Sequence, residues 1–572
     1  MPRLIVKIAL IFGLATLSWS ALAATTAKNT SADAVVLRDT AGAYLSARAA
    51  LAGNDFASAA HWYGLALQAD PENPDMLQNA LVASIGLGDM QTAAQRARAL
   101  AKTGAISQLA RMVLVADDTL NGDYAAILKD QGNGASIGKL MDILVTAWAQ
   151  VGSGKMSQAS ATFDKMIASP GMEAFGVYHK ALALAQSGDF DGADKLFMRP
   201  ESAAIHGLRR GVLAQVQVLS QLGRGKDAIT VIDFVYGQTL DAGMAAIRQR
   251  LAQGEKINFD IARTPQDGMA EAYFSLSLLL EEQPNDILTL SNTRLAAALR
   301  PDHIESVLMS ARILEKLGQY DLAISAYAQV PQSDPAYVSA TIGQANASQM
   351  AGRGAQALVL LKTLAAQNPQ NAGVLSAYGD SLRWQDKCNV AIGVYTQAIA
   401  LIKTPAPANW MLFFRRGGCH LMQKAWPSAE ADYQRALALA PGEPRILNEL
   451  SYGYIERGEN LTQALAMIQQ AVTAAPDEGY IVDSLAWAYF RLGRYDEAVA
   501  PMEKASLLMP LDPIVTDHLG DVYWMTGRKR EAQFQWHRAL SFNPDPKEAA
   551  RIQRKLNKGL DQVMQDEKRQ GG

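Results

Sequence analysis

Gly479 to Pro510 reads GYIVDSLAWAYFRLGRYDEAVAPMEKASLLMP, and Pro513 to Pro544 reads PIVTDHLGDVYWMTGRKREAQFQWHRALSFNP. The two segments align without a gap at a spacing of 34 residues: Leu485 falls on Leu519, Tyr489 on Tyr523, Gly493 on Gly527, Ala498 on Ala532, Ala505 on Ala539 and Pro510 on Pro544. Within each segment apolar residues recur at helical spacing up to the glycine and again from the alanine to the proline, so each encodes two helices of about 13 residues. The glycine permits the left-handed turn between them. Small residues such as Ala498, Gly520 and Ala532 stand where the two helices approach closely, and the proline ends the second helix.

This pattern resembles the tetratricopeptide repeat (TPR). The register extends backward through Ile446–Pro476, Trp410–Pro441 and Ala372–Leu401, and it reappears at Tyr44–Pro71 and from Pro74 to about Leu100. Between Ala105 and Gln370 the units are degenerate but still paired, as in Ala181–Gly188–Ala193 and Ala311–Gly318–Ala323. The expected fold is all-α, a TPR solenoid forming a right-handed superhelix of antiparallel helix pairs, with roughly 12 to 14 units. Residues 39–253 are expected to form an N-terminal TPR-like superhelix and 271–544 a C-terminal one. The weakest stretch, 254–270, carries Lys256, Asp260, Arg263 and Pro265 and is expected to be a loop or hinge between the halves. Residues 545–572 read as a capping helix and polar tail: Ile552, Leu556, Leu560 and Val563 make a narrow apolar stripe that closes the last repeat. The competing reading is a basic amphipathic helix for a membrane or partner.

Composition agrees with this class. The chain has 572 residues, 49% hydrophobic and 7% aromatic, with Ala and Leu abundant, which suits helices better than sandwiches. Lys plus Arg number 53 against 56 Asp plus Glu, a net charge of −3, so no electrostatic footprint for nucleic acid is present. The first 23 residues have the three parts of a secretory signal: Arg3 and Lys7, the apolar run Ile8–Leu17, and Ala21-Leu22-Ala23 as the cleavage site. The alternative is an uncleaved anchor, which Gly13, Thr16, Ser18 and Ser20 weaken. Residues 24–38 read as a flexible leader. No later segment is long and apolar enough to span a bilayer, and no lipidation cysteine precedes Cys388. The expected location is the periplasm.

Chemistry is sparse. No two of the seven histidines share an i, i+4 face and no HExxH occurs. Gly152-Ser153-Gly154-Lys155 and Gly223-Arg224-Gly225-Lys226 lack the first glycine and the Ser or Thr of a phosphate loop, so they are turns. No catalytic constellation, metal site or cofactor is expected. The only two cysteines, Cys388 and Cys419, fall on neighbouring helices of adjacent repeats. They stand either as two small buried apolar residues or as a disulfide, which an oxidising compartment favours.

Function is expected in the groove lined by the first helix of each pair. Register places Phe414 and Leu421, then Asn448 and Tyr452, then Asp483, Trp487 and Phe490, then Asp517, Asp521 and Trp524 inward, with Trp487 and Trp524 partly exposed. Aromatics interspersed with acids suit a polypeptide bearing apolar and some basic side chains. Three aspartates stand where the carboxylate clamp of chaperone-binding TPRs needs cations, so acidic C-terminal tails are not expected in that portion.

The run from Asn448 to Leu540, through NELSYGYIERGENLTQALAMIQQAV, DEGYIVDSLAWAYFRLGRYDEAV and DHLGDVYWMTGRKREAQFQWHRAL, resembles a proteobacterial family of exported TPR proteins that includes the LbcA-type adaptor of the CtpA carboxyl-terminal processing protease. The resemblance implies a non-enzymatic adaptor or scaffold whose partners are other proteins, among them such a protease and cell-wall hydrolases. The adaptor type carries a lipid anchor, for which this chain has no cysteine. An exported TPR protein serving polysaccharide or peptidoglycan assembly, with groove aromatics stacking on sugars, is the alternative.

Overall fold

The structure, a computed structural model, describes residues 31–132, 136–237, 240–281 and 283–570. These hold helices and no strand. In chain order they are α1 Ser31–Ala52, α2 Phe56–Ala69, α3 Pro74–Leu87, α4 Met90–Lys102, α5 Gln108–Leu120, α6 Tyr124–Gly132, α7 Lys139–Gly152, α8 Met156–Ile167, α9 Glu173–Gln186 and α10 Phe190–Phe197. Next come α11 Arg209–Gln221, α12 Gly225–Tyr236, α13 Ala242–Ala252, α14 Pro265–Leu280, α15 Asp286–Leu299, α16 Ile304–Lys316, α17 Tyr320–Tyr327, α18 Tyr337–Met350, α19 Gly354–Gln367, α20 Ala372–Trp384 and α21 Cys388–Ala400. The last are α22 Trp410–Met422, α23 Trp426–Leu439, α24 Pro444–Arg457, α25 Leu461–Ala474, α26 Gly479–Arg491, α27 Tyr495–Leu508, α28 Pro513–Met525, α29 Lys529–Ser541, α30 Pro546–Lys558 and α31 Leu560–Gln570. The signal segment 1–23 and residues 24–30 of the expected leader lie outside the described residues; from Ser31 the leader is already part of α1.

Local chemistry sets the helix ends. Asp512 caps α28, its Oδ1 accepting from the backbone N–H of Ile514 at 2.8 Å and of Val515 at 2.9 Å, with Pro513 in the first turn. Gly493 turns α26 into α27 at φ 75°. At the corresponding turn between α22 and α23 a lysine, Lys424, adopts φ 59°. Close approach within a hairpin is glycine under aromatic ring: a Cβ on Gly520 of α28 would collide with the Trp536 indole of α29.

Two compact units divide the chain between Leu360 and Leu361, inside α19. The 254–270 stretch, expected as the hinge between halves, instead lies within the first unit. Residues 253–264 are a loop, but Ile257, Ile261 and Ala262 are buried, and α14 starts at Pro265 with Thr264 as its cap. The physical reason is that α14 and α15 run along the face formed by α3, α5, α7 and α9. The Tyr273 hydroxyl of α14 donates to the Met112 carbonyl of α5 at 2.7 Å. Gly268 sits on the Trp148 ring of α7, where any Cβ would overlap it. Trp148 Nε1–H donates to His179 Nδ1 at 3.1 Å, and His179 Nε2 meets Ser275 Oγ of α14 at 3.1 Å. Arg294 of α15 reaches the Gly86 carbonyl near the end of α3 at 3.4 Å. In the first unit these contacts tie non-consecutive hairpins together, and one core cluster runs from Ala47 to Ala347. A smaller cluster around Val212, Leu219 and Ile232 joins α11 to α13.

The second unit is the regular part: α20 to α29 are consecutive antiparallel hairpins around a core from Trp410 to Leu560. Its last pair, α30 and α31, closes over α28.

Candidate functional site

Among the first helices of the second unit, α22, α24, α26 and α28 carry the ten expected groove positions. The structure does not bring these into one open surface. At the far end the face is occupied by the chain itself. Lys555 of α30 is fully buried, and its Nζ donates at 2.7 Å to Asp517 Oδ2 and to both oxygens of Asp521. Arg551 stands 3.8 and 3.6 Å from the same two carboxylates. Trp536 Nε1–H donates to Asp521 at 2.9 Å. Burial, together with the charge of Asp521, raises the Asp517 pKa despite the attraction of Lys555. Trp524 is half-buried, as expected, but its Nε1–H donates to Asp561 of α31 at 2.8 Å. The cleft left beside Asp517 and His518 has a volume of only about 110 Å³.

The middle of the face is closed by packing between first helices. Trp487 is buried, contrary to expectation, because its indole is sandwiched between Phe490 at 4.7 Å and His518 of α28 at 4.0 Å, both stacked. Its Nε1–H donates to Glu456 of α24 at 2.7 Å. Asp483 is fully buried and accepts from His518 Nδ1 at 3.0 Å. Burial opposes the imidazolium, but Asp483 outweighs it and leaves the His518 pKa above its ordinary value. Phe490 is buried as well, so Asp483, Trp487, Phe490, Asp517 and Asp521 are interior residues, not a groove. Sequence register sees one helix at a time; it does not see that each first helix also packs on the next.

In α24 the exposed stripe is rotated from the expected one. Asn448 is buried, with its Oδ1 unpartnered. Tyr452 is half-buried, its pKa raised by burial. Arg445 and Glu449 face the opening instead.

What remains open is a cavity of about 470 Å³ between α20, α22 and α24. Trp410, Phe414, Gly418 and Leu421 recur at i, i+4, i+8 and i+11 on α22 and form its apolar wall. Phe414 packs on Trp410 at 5.5 Å and on the buried Tyr433 of α23 at 5.7 Å. Met411 and Met422 flank that stripe and remain 38% and 40% exposed, so the apolar surface continues from the wall onto the rim. Arginines ring the opening: Arg383 on α20, Arg415 on α22 and Arg445 on α24. Arg415 bonds Asp380 at 2.7 Å through one Nη, and Arg445 lies 4.8 Å over the Trp410 ring while its Nε donates to Glu443 at 2.6 Å. Phe414 and Leu421 are legible from register; the arginines and methionines one position to either side are not singled out by it, although the same helical wheel carries them. Directly behind this wall Cys388 and Cys419 are joined as a disulfide with Cα atoms 5.0 Å apart, pinning α21 to α22.

A second cavity, about 250 Å³, lies in the first unit between α9, α11, α14 and α16. Its central charges are paired: Arg210 bonds the buried Glu271 and, at 2.9 Å, Glu305, and Arg209 reaches Glu305 at 3.0 Å, although Arg210 Nε has no partner. Burial resists ionisation of Glu271, yet Arg210 and His303 hold its pKa well below the usual carboxylate range. No group of three or more His, Cys, Asp or Glu among the described residues is placed to hold a metal ion. No described helix is long and apolar enough to cross a membrane.

Consecutive antiparallel hairpins at a 34-residue period, glycine-turned and proline-ended, define a tetratricopeptide-type α-solenoid, the architecture of protein–protein interaction scaffolds. In agreement, the family model described as tetratricopeptide repeat matches residues 308–372, 377–444 and 455–507. No curated protein matches the chain. Among solved structures, a chain of the APC/C hetero-tetramer Cut9-Hcn1 is 16% identical with a TM-score of 0.40, over 91% of this chain and 96% of that one. A tetratricopeptide repeat protein from Parabacteroides merdae ATCC 43184 is 16% identical with a TM-score of 0.36, over 44% of this chain and 97% of that one. A thermophilic TPR protein of Thermus thermophilus, TTC0263, is 24% identical with a TM-score of 0.28, over 33% of this chain and 99% of that one.

Proposed function

We propose that the chain is a non-enzymatic scaffold that binds another protein through the α20–α22–α24 cavity, and that it works in the periplasm as an adaptor presenting substrates to an envelope protease. The observation that carries the reading is the cavity itself: about 470 Å³, apolar-walled, rimmed by exposed methionines, in a repeat array whose later first helices are packed shut. A recess with an apolar wall and charged groups converging on its rim is a form that binding sites commonly take. Export is supported by the signal-like segment 1–23, and the protease role by the resemblance of Asn448–Leu540 to the adaptor family. The test is a photo-crosslinking residue at Met411 or Met422 in cells, with fractionation and sequencing of the mature N-terminus. Adducts with a defined protein in the periplasmic fraction, and a mature chain beginning at Ala24, are expected. Adducts with no protein, or only with cell-wall glycan, would overturn the scaffold reading.

A further inference from the structure

We infer that the α20–α22–α24 cavity selects an extended peptide segment in which an apolar side chain is flanked by carboxylates, the opposite polarity to the basic partner that the aspartates suggest in sequence. The inference rests on the scaffold reading above and names its ligand. The aspartates of the terminal repeat are not available to a partner, because Lys555 and Arg551 already pair with Asp517 and Asp521 from within the chain. At the open cavity the charged groups in reach of a ligand are guanidiniums, Arg383, Arg415 and Arg445, beside one carboxylate, Glu449; Asp380 and Glu443 already pair with Arg415 and Arg445, so selection rests on the N–H donors those pairs leave unused.

Two of these arginines retain donors for a ligand. Arg445 uses Nε on Glu443, and its Nη groups make no hydrogen bond. Arg415 spends one Nη on Asp380 and Ser376 and sets the other beside the Met411 sulfur at 3.7 Å, leaving Nε–H unused. A guanidinium offers five N–H donors in a planar fork, and a carboxylate is the group that fills its empty edge. Between these arginines the wall is Trp410, Phe414 and Leu421, with Gly418 leaving the surface recessed. An apolar side chain enters there, and Met411 and Met422, flexible and polarizable, adapt to its shape. The ligand chemistry is therefore acid–apolar–acid in an unfolded or extended stretch of polypeptide.

The experiment uses the full mature chain and fluorescein-labelled 12-residue peptides of one apolar pattern, Leu and Phe alternating either with Asp and Glu or with Lys, read by fluorescence anisotropy. The acidic peptide is expected to bind at least about tenfold tighter than the lysine peptide, with the preference shrinking as salt rises. Arg445→Glu is expected to narrow or reverse that preference. Met411→Asp and Met422→Asp are expected to weaken the acidic peptide about tenfold or more, each variant first checked for an unchanged helical spectrum and melting curve. Equal binding of acidic and lysine peptides, lost in Met422→Asp, would sink the charge selection and leave the scaffold reading standing. Acidic-peptide binding indifferent to Met411→Asp and Met422→Asp would move the site elsewhere. Binding of neither peptide, or of anionic polysaccharide alone, overturns the inference.

Discussion

Replacing Lys555 by methionine removes one charge from the most enclosed ion cluster of the second unit. The ammonium makes 2.7 Å bonds to Asp517 and to both oxygens of Asp521 and is 0% exposed. Methionine fills nearly the same volume, so the packing of α30 on α28 changes little, but two buried carboxylates lose their compensating charge. Deleting one partner of a buried pair costs about 3–5 kcal/mol. That loss falls first on α30 and α31, held by a terminal contact through Ile552, Leu560 and Val563, so this pair opens before the repeats beneath it unfold. At 1.4 kcal/mol per decade, amide exchange of α30 and α31 accelerates by about two to three and a half orders of magnitude, while α20 to α25 are unaffected. Hydrogen exchange read by mass spectrometry reports each helix separately. A companion variant, Lys555→Met with Asp517→Asn and Asp521→Asn, removes both sides of the pairing and is expected to restore most of the protection. An unchanged exchange rate in α30 for the single variant, or acceleration spread evenly over the whole unit, would refute the reasoning.

Two histidines give the units opposite responses to pH. His179 is buried and accepts from Trp148, and burial pushes its pKa down to about 4. Its unfolded form takes up a proton first, so the first unit loses up to about 3 kcal/mol between pH 6.5 and 4, a loss that His179→Gln removes in denaturant titrations. His518 is shifted the other way by Asp483, so its contribution is complete below pH 6.5 and disappears as pH rises through its raised value; Trp487 fluorescence, quenched by the stacked imidazolium, reads the midpoint, and Asp483→Asn moves it to or below 6.5. Reducing the Cys388–Cys419 bond, which closes a separation of 31 residues, destabilises the second unit by about 3–4 kcal/mol in the chain-entropy model, measured by melting with and without reductant. Lys424→Gly relieves a left-handed lysine costing about 1–2 kcal/mol at an entropic cost of about 0.5–1 kcal/mol, so it raises stability slightly; a drop in the denaturation midpoint would contradict this.

The regular hairpins of the second unit are legible in sequence because their signals are local: helix period, Gly493 and Gly527 at turns, Pro510 and Pro544 at ends. The path of α14 and α15 is not, because the contacts that place them, Tyr273 with Met112 and Gly268 with Trp148, join residues separated by more than a hundred positions and leave no periodic trace. At the candidate site, Phe414 and Leu421 follow from register, whereas Asp517 and Asp521 mislead. An aspartate on an inward face reads alike whether it awaits a foreign cation or already holds Lys555. In α24 the rotation of the open stripe from Asn448 to Arg445 and Glu449 reflects how the helix rolls on its neighbours, which no single-helix pattern encodes.

A helix pair threaded through the middle of the first unit also changes how that unit can come apart. An array whose members touch only their sequence neighbours frays from either end and tolerates the gain or loss of a member. Here Met112, Trp148 and His179, from three separate hairpins, all depend on residues of α14, so removing any one loosens a shared axle. A fragment cut before Pro265 would leave those side chains without their α14 partners, and the compact unit to which they belong extends to Leu360. The first unit is thus expected to melt as one body, with the number of hairpins in its array tied to the helix pair that they share.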